Sequence, residues 1–187
     1  MARRQEENIP KFKELILHVS QKCADDPSFG SVKLNKILFF SDFLAFAQYG
    51  TAITGVDYQK LPLGPGPKKL VPVRQEMIRD RELAIQEKAV GSSGVQKKPV
   101  NLREPNLDHF SAKEIALVDS VIQCFSAHSA NQTSELSHLM CAWKFTPMGK
   151  IIPYGAVFLT DMPLTEEDIV RGQELAREYG LLEQSAA

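Results

Sequence analysis

One stretch of the chain, residues 31–49, reads SVKLNKILFFSDFLAFAQY and is apolar on almost every side. Its large apolar residues recur at positions that cover most of a helix circumference: Leu34, Ile37, Leu38, Phe39, Phe40, Phe43, Leu44 and Phe46. Gly50 follows, and glycine ends a helix in the left-handed conformation without strain. A helix that is apolar all round lies in an interior, so we expect this one at the centre, with other elements packed on most of its sides.

The segments on either side predict further short elements. From about residue 8 to residue 23, apolar residues at helical spacing predict an amphipathic helix. Residues 51–61 predict a short extended passage, and residues 63–67, Leu-Gly-Pro-Gly-Pro, predict a rigid loop. The next helix either begins near Val71, with Pro72 in its first turn, or begins at the end of the loop and kinks at Pro72. We favour the later start.

Residues 82–103 predict one β-hairpin, because apolar and polar residues alternate on both sides of a turn signal. The tetrapeptide at residues 91–94, Gly-Ser-Ser-Gly, supplies the turn. Lys97, Lys98 and Pro99 suit an edge strand, since lysine discourages pairing with other chains and proline cannot donate to a ladder.

The C-terminal half predicts three more helices. Ser111 and Glu114 have the spacing of a capping box, in which each side chain bonds to the backbone of the other at a helix start. A shorter helix is expected over residues 133–141, and a last one over about 165–180, with acidic residues in its first turn. Residues 143–159 are aromatic and turn-rich and give no clear prediction.

Length and element order together define the expected architecture. The 187 residues are enough for one domain to bury a core without a metal or disulfide staple. We expect a single domain over residues 1–187 with an α+β fold, mainly α. It would be a compact helical domain around the Phe-rich helix, about 31–49, with one β-hairpin, about 82–103.

Charge and cysteine content exclude several classes of protein. The formal net charge is −1 and the pI is about 6.4, which argues against a bulk electrostatic grip on nucleic acid or anionic lipid. We find no secretory signal and no apolar stretch long enough to span a bilayer. Three scattered cysteines are typical of a reducing compartment, so we expect a cytoplasmic protein.

Four residues have side chains that zinc could use: Cys124, His128, His138 and Cys141. The pairs Cys124/His128 at i,i+4 and His138/Cys141 at i,i+3, on consecutive helices, could bring the four together, although the spacing matches no known zinc finger. The alternative, which we favour, is buried thiols and hydrogen-bonded histidines, because Cys124 adjoins a core position.

Catalytic signatures give no positive signal. The loop at residues 63–67 and the lysines after it only superficially suggest phosphate binding, because prolines remove backbone donors and the Walker spacing is absent. No Gly-x-Ser-x-Gly or His-Glu-x-x-His motif occurs. We therefore expect neither an enzyme nor a cofactor or metal site.

Several motifs occur in order between about residues 10 and 160. They are VKLNKILFFSDF at 32–43, Gly50, ITGVDYQK at 53–60, LGPGP at 63–67, LSH at 136–138, Trp143 and IPY at 152–154. Together they resemble the signature of the Panacea domain, the SocA-like antitoxin family: a Lys-Leu-x-Lys helix with paired aromatic residues, then a Gly-Pro loop. Many members have Gly-Pro-Val at that loop, whereas this chain has Gly-Pro-Gly-Pro.

The resemblance implies a protein-binding role. Panacea domains are antitoxins of two-gene operons, also found near prophage genes, that neutralise varied toxins by direct protein contact. The SocA branch is also described as an adaptor that delivers its toxin to a protease. Separately, the terminal Ser-Ala-Ala at 185–187 of this chain resembles bacterial degradation tags. The alternative is a phage-derived regulatory or nucleic-acid-binding protein without catalytic activity.

We expect the toxin-binding surface to include the rigid loop and nearby polar groups, which have no obvious role in a core. The residues expected on it are Asp42, Tyr58, Lys60, Gly64, Pro65, Lys68, Lys69 and His138. The alternative is that Asp42 and His138 hydrogen-bond each other or cap backbone groups.

Overall fold

The structure, a computed structural model, describes residues 5–90 and 94–180. Within them the helices are α1 Ile9–Lys22, α2 Ser31–Tyr49, α3 Leu70–Arg79, α4 Ala112–Ser126, α5 Ala130–Leu139, α6 Cys141–Lys144 and α7 Glu166–Glu178. The strands are β1 Tyr58–Leu61, β2 Gly64–Pro67, β3 Leu83–Val90, β4 Gly94–Asn101 and β5 Ile151–Ile152, and short 3₁₀ helices cover Leu107–His109 and Tyr154–Phe158. Most of the predicted turn at 91–94, and the tripeptide at 185–187, lie outside the described residues. The fold is α+β and mainly α, as predicted.

Helix α2 is the centre of the fold. The helices α1, α4 and α5 and the strand β2 pack against it. The Phe39 and Phe43 rings lie 4.1 Å apart between centroids, and both side chains are fully buried. Full burial of one such side chain contributes about 1.5–3 kcal/mol. The predicted central helix is confirmed, and it ends at Gly50 with φ of 74°.

A three-stranded antiparallel sheet, in the order β2-β1-β5, lies beside α2. β1 pairs with β2 starting at Tyr58 and Pro67, and with β5 through Tyr58 and Ile152. The prediction of a rigid loop at 63–67 is wrong, because its last four residues form β2 and all four are buried. Prolines fit in β2 because it is an edge strand, where a residue without an N–H forfeits no ladder bond.

The predicted β-hairpin is confirmed as β3 and β4, which form a separate two-stranded sheet. Side-chain amides fasten it to the N-terminal helices. Gln96 Nε2 donates to the carbonyls of Pro27 and Phe29, both at 2.9 Å. Asn101 Nδ2 donates to the carbonyl of Leu17 at 2.9 Å. These bonds explain how a hairpin with one exposed face is held in place.

Capping residues set where two of the helices begin. The capping box of Ser111 and Glu114 is confirmed at the start of α4. Helix α5 begins at Ala130, earlier than the predicted Thr133, because Ser129 forms a second capping box with Gln132 and so fixes the first turn.

The remaining predictions of helices agree with the structure. Helix α3 begins at Leu70 and has Pro72 in its first turn, as the favoured alternative requires. Helix α7 lies within the predicted range of 165–180. The unassigned residues 143–159 contain the end of α6, β5 and a 3₁₀ helix, elements too short to show a period. In the described ranges, every helix is too short or too polar to cross a membrane.

Candidate functional site

The eight residues expected on a binding surface divide into two groups of four. The buried group is Asp42, Tyr58, Gly64 and Pro65. The group at or near the surface is Lys60, Lys68, Lys69 and His138. The expected exposure is wrong for the buried group, because α2 has no solvent-facing side at Asp42 and because β1 and β2 are strands packed beside α2.

Asp42 holds the segment between α2 and β1 in place through hydrogen bonds. Its carboxylate accepts hydrogen bonds from the Thr54 backbone N–H at 2.7 Å, the Thr54 hydroxyl at 2.5 Å and the Tyr58 hydroxyl at 2.8 Å. Burial raises the pKa of Asp42 and raises that of Tyr58 well above its usual value, so the phenol stays protonated as the donor. Asp42 therefore caps a backbone group, whereas the described residues show no hydrogen bond between Asp42 and His138.

Lys33, the first lysine of the signature helix, is also an interior residue. Its ammonium group donates to three acceptors: the Asp26 carboxylate at 2.5 Å, the Ser28 hydroxyl at 3.1 Å and the His128 carbonyl at 2.7 Å. Three protons thus meet three acceptors, which is the condition for burying a charge at tolerable cost. Lys33 joins the α1–α2 turn to the end of α4.

Strand β2 passes so close to α2 and α5 that only glycine fits at position 64. Gly64 has φ of +94°, and a Cβ there would lie 2.3 Å from Ser137 Oγ and 2.6 Å from Lys36 Cε. Lys36 Nζ donates to the Pro65 carbonyl at 3.0 Å, and burial lowers the pKa of Lys36 to about 8. The Gly-Pro element is therefore a packing contact between a strand and two helices.

Three side chains from separate parts of the chain stack in order, and we call them the Trp143 ladder: Lys60, Trp143 and His138. Lys60 Nζ lies 4.1 Å from the Trp143 ring centroid, and the His138 ring stacks on Trp143 with centroids 4.0 Å apart at 21°. Trp143 Nε1 donates to the Leu61 carbonyl at 3.4 Å, and Lys60 Nζ donates to the Lys144 carbonyl at 3.2 Å. These bonds link two members of the ladder, Lys60 and Trp143, to the backbone at Lys144 and Leu61.

Exposed apolar side chains adjoin the Trp143 ladder in the chain. Leu139 follows His138, Phe145 and Met148 follow Trp143, and Leu63 forms the turn after Leu61. Their exposed fractions are large: Leu63 61%, Leu139 66%, Phe145 60% and Met148 56%. The Ser134 hydroxyl donates to the Leu63 carbonyl at 2.7 Å and so ties this turn to α5. We call the ladder together with these four residues, which adjoin it in the sequence, the Trp143 face.

The pKa of His138 is measurable through its neighbour, because Trp143 is the single tryptophan of the chain. Burial, Lys36 and Lys60 all lower the pKa of His138 below its usual value of 6.5. Protonated imidazole quenches the fluorescence of a stacked indole. Trp143 emission is therefore expected to fall as the pH is lowered, with a midpoint below pH 6.5. Lys60→Gln removes one like charge and should raise the midpoint, whereas Lys88→Gln, on β3, should leave it unchanged. An emission midpoint above pH 6.5 in the wild type would contradict the lowered pKa, and emission that does not change with pH would contradict the stacked arrangement.

Lys68 and Lys69 lie apart from the ladder. They follow β2, beyond the pairing of Pro67 with Tyr58, whereas Lys60 pairs with Pro65 nearer the turn. Lys69 forms an ion pair with Glu7, and Lys68 is exposed. The structure therefore joins Lys60 to His138 and places the other two lysines at the opposite end of the β1–β2 hairpin.

The four residues considered as zinc ligands lie on α4, α5, α6 and the turn after α4. Cys141 is buried, but Cys124 is exposed, because its neighbour Phe125 points into the core and leaves Cys124 on the outer side of α4. The favoured interpretation of a buried thiol is thus wrong for Cys124. His128 Nδ1 and His138 Nε2 have no hydrogen-bond partner in the described part of the chain. Residues 5–90 and 94–180 contain no cluster of three or more such side chains that could hold a metal ion.

A separate apolar groove of about 650 Å³ lies at the start of α2, between the β3–β4 hairpin and the start of α5. Val32, Val95 and Ala130 are among the residues that line it. None of the eight residues expected on the binding surface belongs to this groove, so the groove and the Trp143 face are distinct features.

Sequence reasoning did not predict the apolar part of the Trp143 face. Trp143 is recognisable as a signature residue, but its partner Lys60 is distant in sequence, and His138, five residues before it, lies on a different helix. Phe145 and Met148 belong to the unassigned stretch, where no period separates core from surface. The usable signal was the presence of large apolar residues in a turn-rich segment that predicts no helix or strand to bury them.

A family model described as antitoxin SocA-like, Panacea domain, matches residues 34–144. The match begins in α2 and ends with α6, so it includes Asp42, the β1–β2 hairpin and the whole Trp143 ladder. Comparisons with curated proteins and with solved structures give no match.

Proposed function

Because the chain belongs to the family of SocA-like antitoxins with a Panacea domain, we propose that it is a cytoplasmic antitoxin that binds its cognate toxin directly. Binding would neutralise the toxin without catalysis. The family assignment supports the antitoxin role in general, and the geometry of the Trp143 face supports contact between two proteins as the mechanism.

The observation that carries the mechanism is the stacked, partly exposed Trp143 ladder, which four exposed apolar side chains adjoin in the sequence. Tryptophan and other aromatic residues are enriched at the centres of protein interfaces, where a few anchors supply most of the binding energy. The stacking and the hydrogen bonds already order Lys60 and Trp143 in the free protein. Binding therefore costs little further side-chain entropy at these residues.

The interior residues of the signature stabilise the fold and leave binding to residues at the surface. Lys33, Lys36, Asp42 and Gly64 are buried and bind other parts of the chain, so their chemistry is used within the fold. We infer that the signature specifies a scaffold, and that the partner is bound by surface residues that this scaffold presents.

Co-expression with the toxin tests the proposed function. The candidate toxin is the product of the reading frame adjacent to this gene, expressed from an inducible promoter. We expect growth arrest with the toxin alone, growth with both proteins, and recovery of the two proteins as one complex. Persistent arrest would contradict the antitoxin role. Restored growth with loss of the toxin from the cell, and no complex, would contradict neutralisation by binding and favour delivery to a protease.

A further inference from the structure

Two lysines, Lys60 of the Trp143 face and Lys150 just before β5, lie at the end of the β1–β5 pairing. The regular pairing ends at Gln59 and Ile151. Beyond it the Lys60 N–H donates to the Lys150 carbonyl at 3.0 Å, and the Gly149 N–H donates to the Lys60 carbonyl at 2.9 Å, so Lys60 faces two residues instead of one. The backbones of two lysines are therefore adjacent at this end of the sheet.

The β3–β4 hairpin provides a contrast within the same molecule. There Lys97 stands opposite Glu87, and the two form an ion pair at 3.2 Å. By comparison, neither Lys60 nor Lys150 forms an ion pair with a carboxylate in residues 5–90 and 94–180. Two acidic residues in this part of the fold have other partners. Asp161 forms an ion pair with Lys144 at 2.5 Å, and Glu135 raises the pKa of His138.

Resting on the proposed function, we propose that the toxin segment bound by the Trp143 face is acidic and carries a large apolar side chain. Its carboxylates bind Lys60 and Lys150, and its apolar side chain packs against Phe145 and Met148. Charge complementarity fixes the class of partner, because two cations without a carboxylate partner, which exposed apolar residues adjoin in the sequence, accept a carboxylate and an apolar group together. A basic or purely polar segment would leave one or both of these features unsatisfied.

The test compares two variants of equal net charge. Lys60→Gln/Lys150→Gln removes both lysines at the end of the β1–β5 pairing, and Lys88→Gln/Lys113→Gln removes two exposed lysines from β3 and α4. Affinity for the toxin that passes the co-expression assay is measured by calorimetry at low and at moderate salt. We expect the first variant to bind about tenfold or more weakly, with a reduced salt dependence, and the control to bind within twofold of the wild type.

Carbodiimide cross-linking identifies the partner groups, because it joins lysine amines to carboxylates in direct contact. We expect links from Lys60 or Lys150 to Asp or Glu of the toxin. Toxin binding within twofold of wild type for the first variant would overturn the inference while leaving the proposed function intact. Links from these lysines only to the acidic helix α7, of the same or a second chain, would also overturn it, in favour of a self-contact. Failure of the co-expression assay itself would instead reject the proposed function.

Discussion

Replacing Gly64 by alanine is expected to destabilise the protein by roughly 2–5 kcal/mol. The left-handed backbone, with φ of +94°, costs an alanine about 1–2 kcal/mol. Its Cβ would also lie 2.3 Å from Ser137 Oγ and 2.6 Å from Lys36 Cε, and overpacking of this kind costs about 1–3 kcal/mol. The loss is a large part of a total stability of about 5–15 kcal/mol.

Gly50→Ala is the matched control, because it has the same backbone requirement without the contact. Gly50 has φ of +74°, and a Cβ there meets nothing within 4 Å. Only the conformational cost of about 1–2 kcal/mol is expected. Urea unfolding followed by circular dichroism measures both free energies. Equal losses for the two variants would show that β2 does not approach α2 and α5 as closely as described.

The central helix and the hairpin could be predicted because their signals are local. Leu34 to Phe46 is apolar around the helix, and residues 82–103 alternate on both sides of a turn. The same signal did not reveal the interior charges, and the expectation of a surface position for Asp42 is wrong. A helix that is apolar on almost every side has little solvent face, so Lys33, Lys36 and Asp42 lie inside and bind other parts of the chain.

The strand β2 and the Trp143 ladder could not be predicted, because distant residues define them. A Gly-Pro tetrapeptide is typical of a loop, and it becomes a buried strand here because it pairs with β1 and because Lys36 and Ser134 bond to its start and to the turn before it. The ladder joins Lys60, His138 and Trp143, which share no local pattern. Contacts that depend on the tertiary fold leave no period in the sequence.

The second large effect is expected at the Trp143 face. Phe145→Ala/Met148→Ala removes two exposed apolar side chains of the Trp143 face, and truncation of two anchors should weaken toxin binding about a hundredfold, or about 2.7 kcal/mol. Stability should change little, because both side chains are more than half exposed, at 60% and 56%. Val71→Ala/Leu102→Ala is the control, since both residues are similarly exposed, at 55%, but lie on α3 and just after β4, outside the apolar groove.

Calorimetry of the purified chain with its purified toxin tests the central claim, that neutralisation is direct binding through the Trp143 face. The account predicts saturable binding by the wild type and by the control variant, and binding about a hundredfold weaker by Phe145→Ala/Met148→Ala at an unchanged melting temperature. Equal dissociation constants for all three proteins would contradict the assigned surface. Absence of binding by the wild type, when co-expression still protects the cell, would contradict direct binding itself.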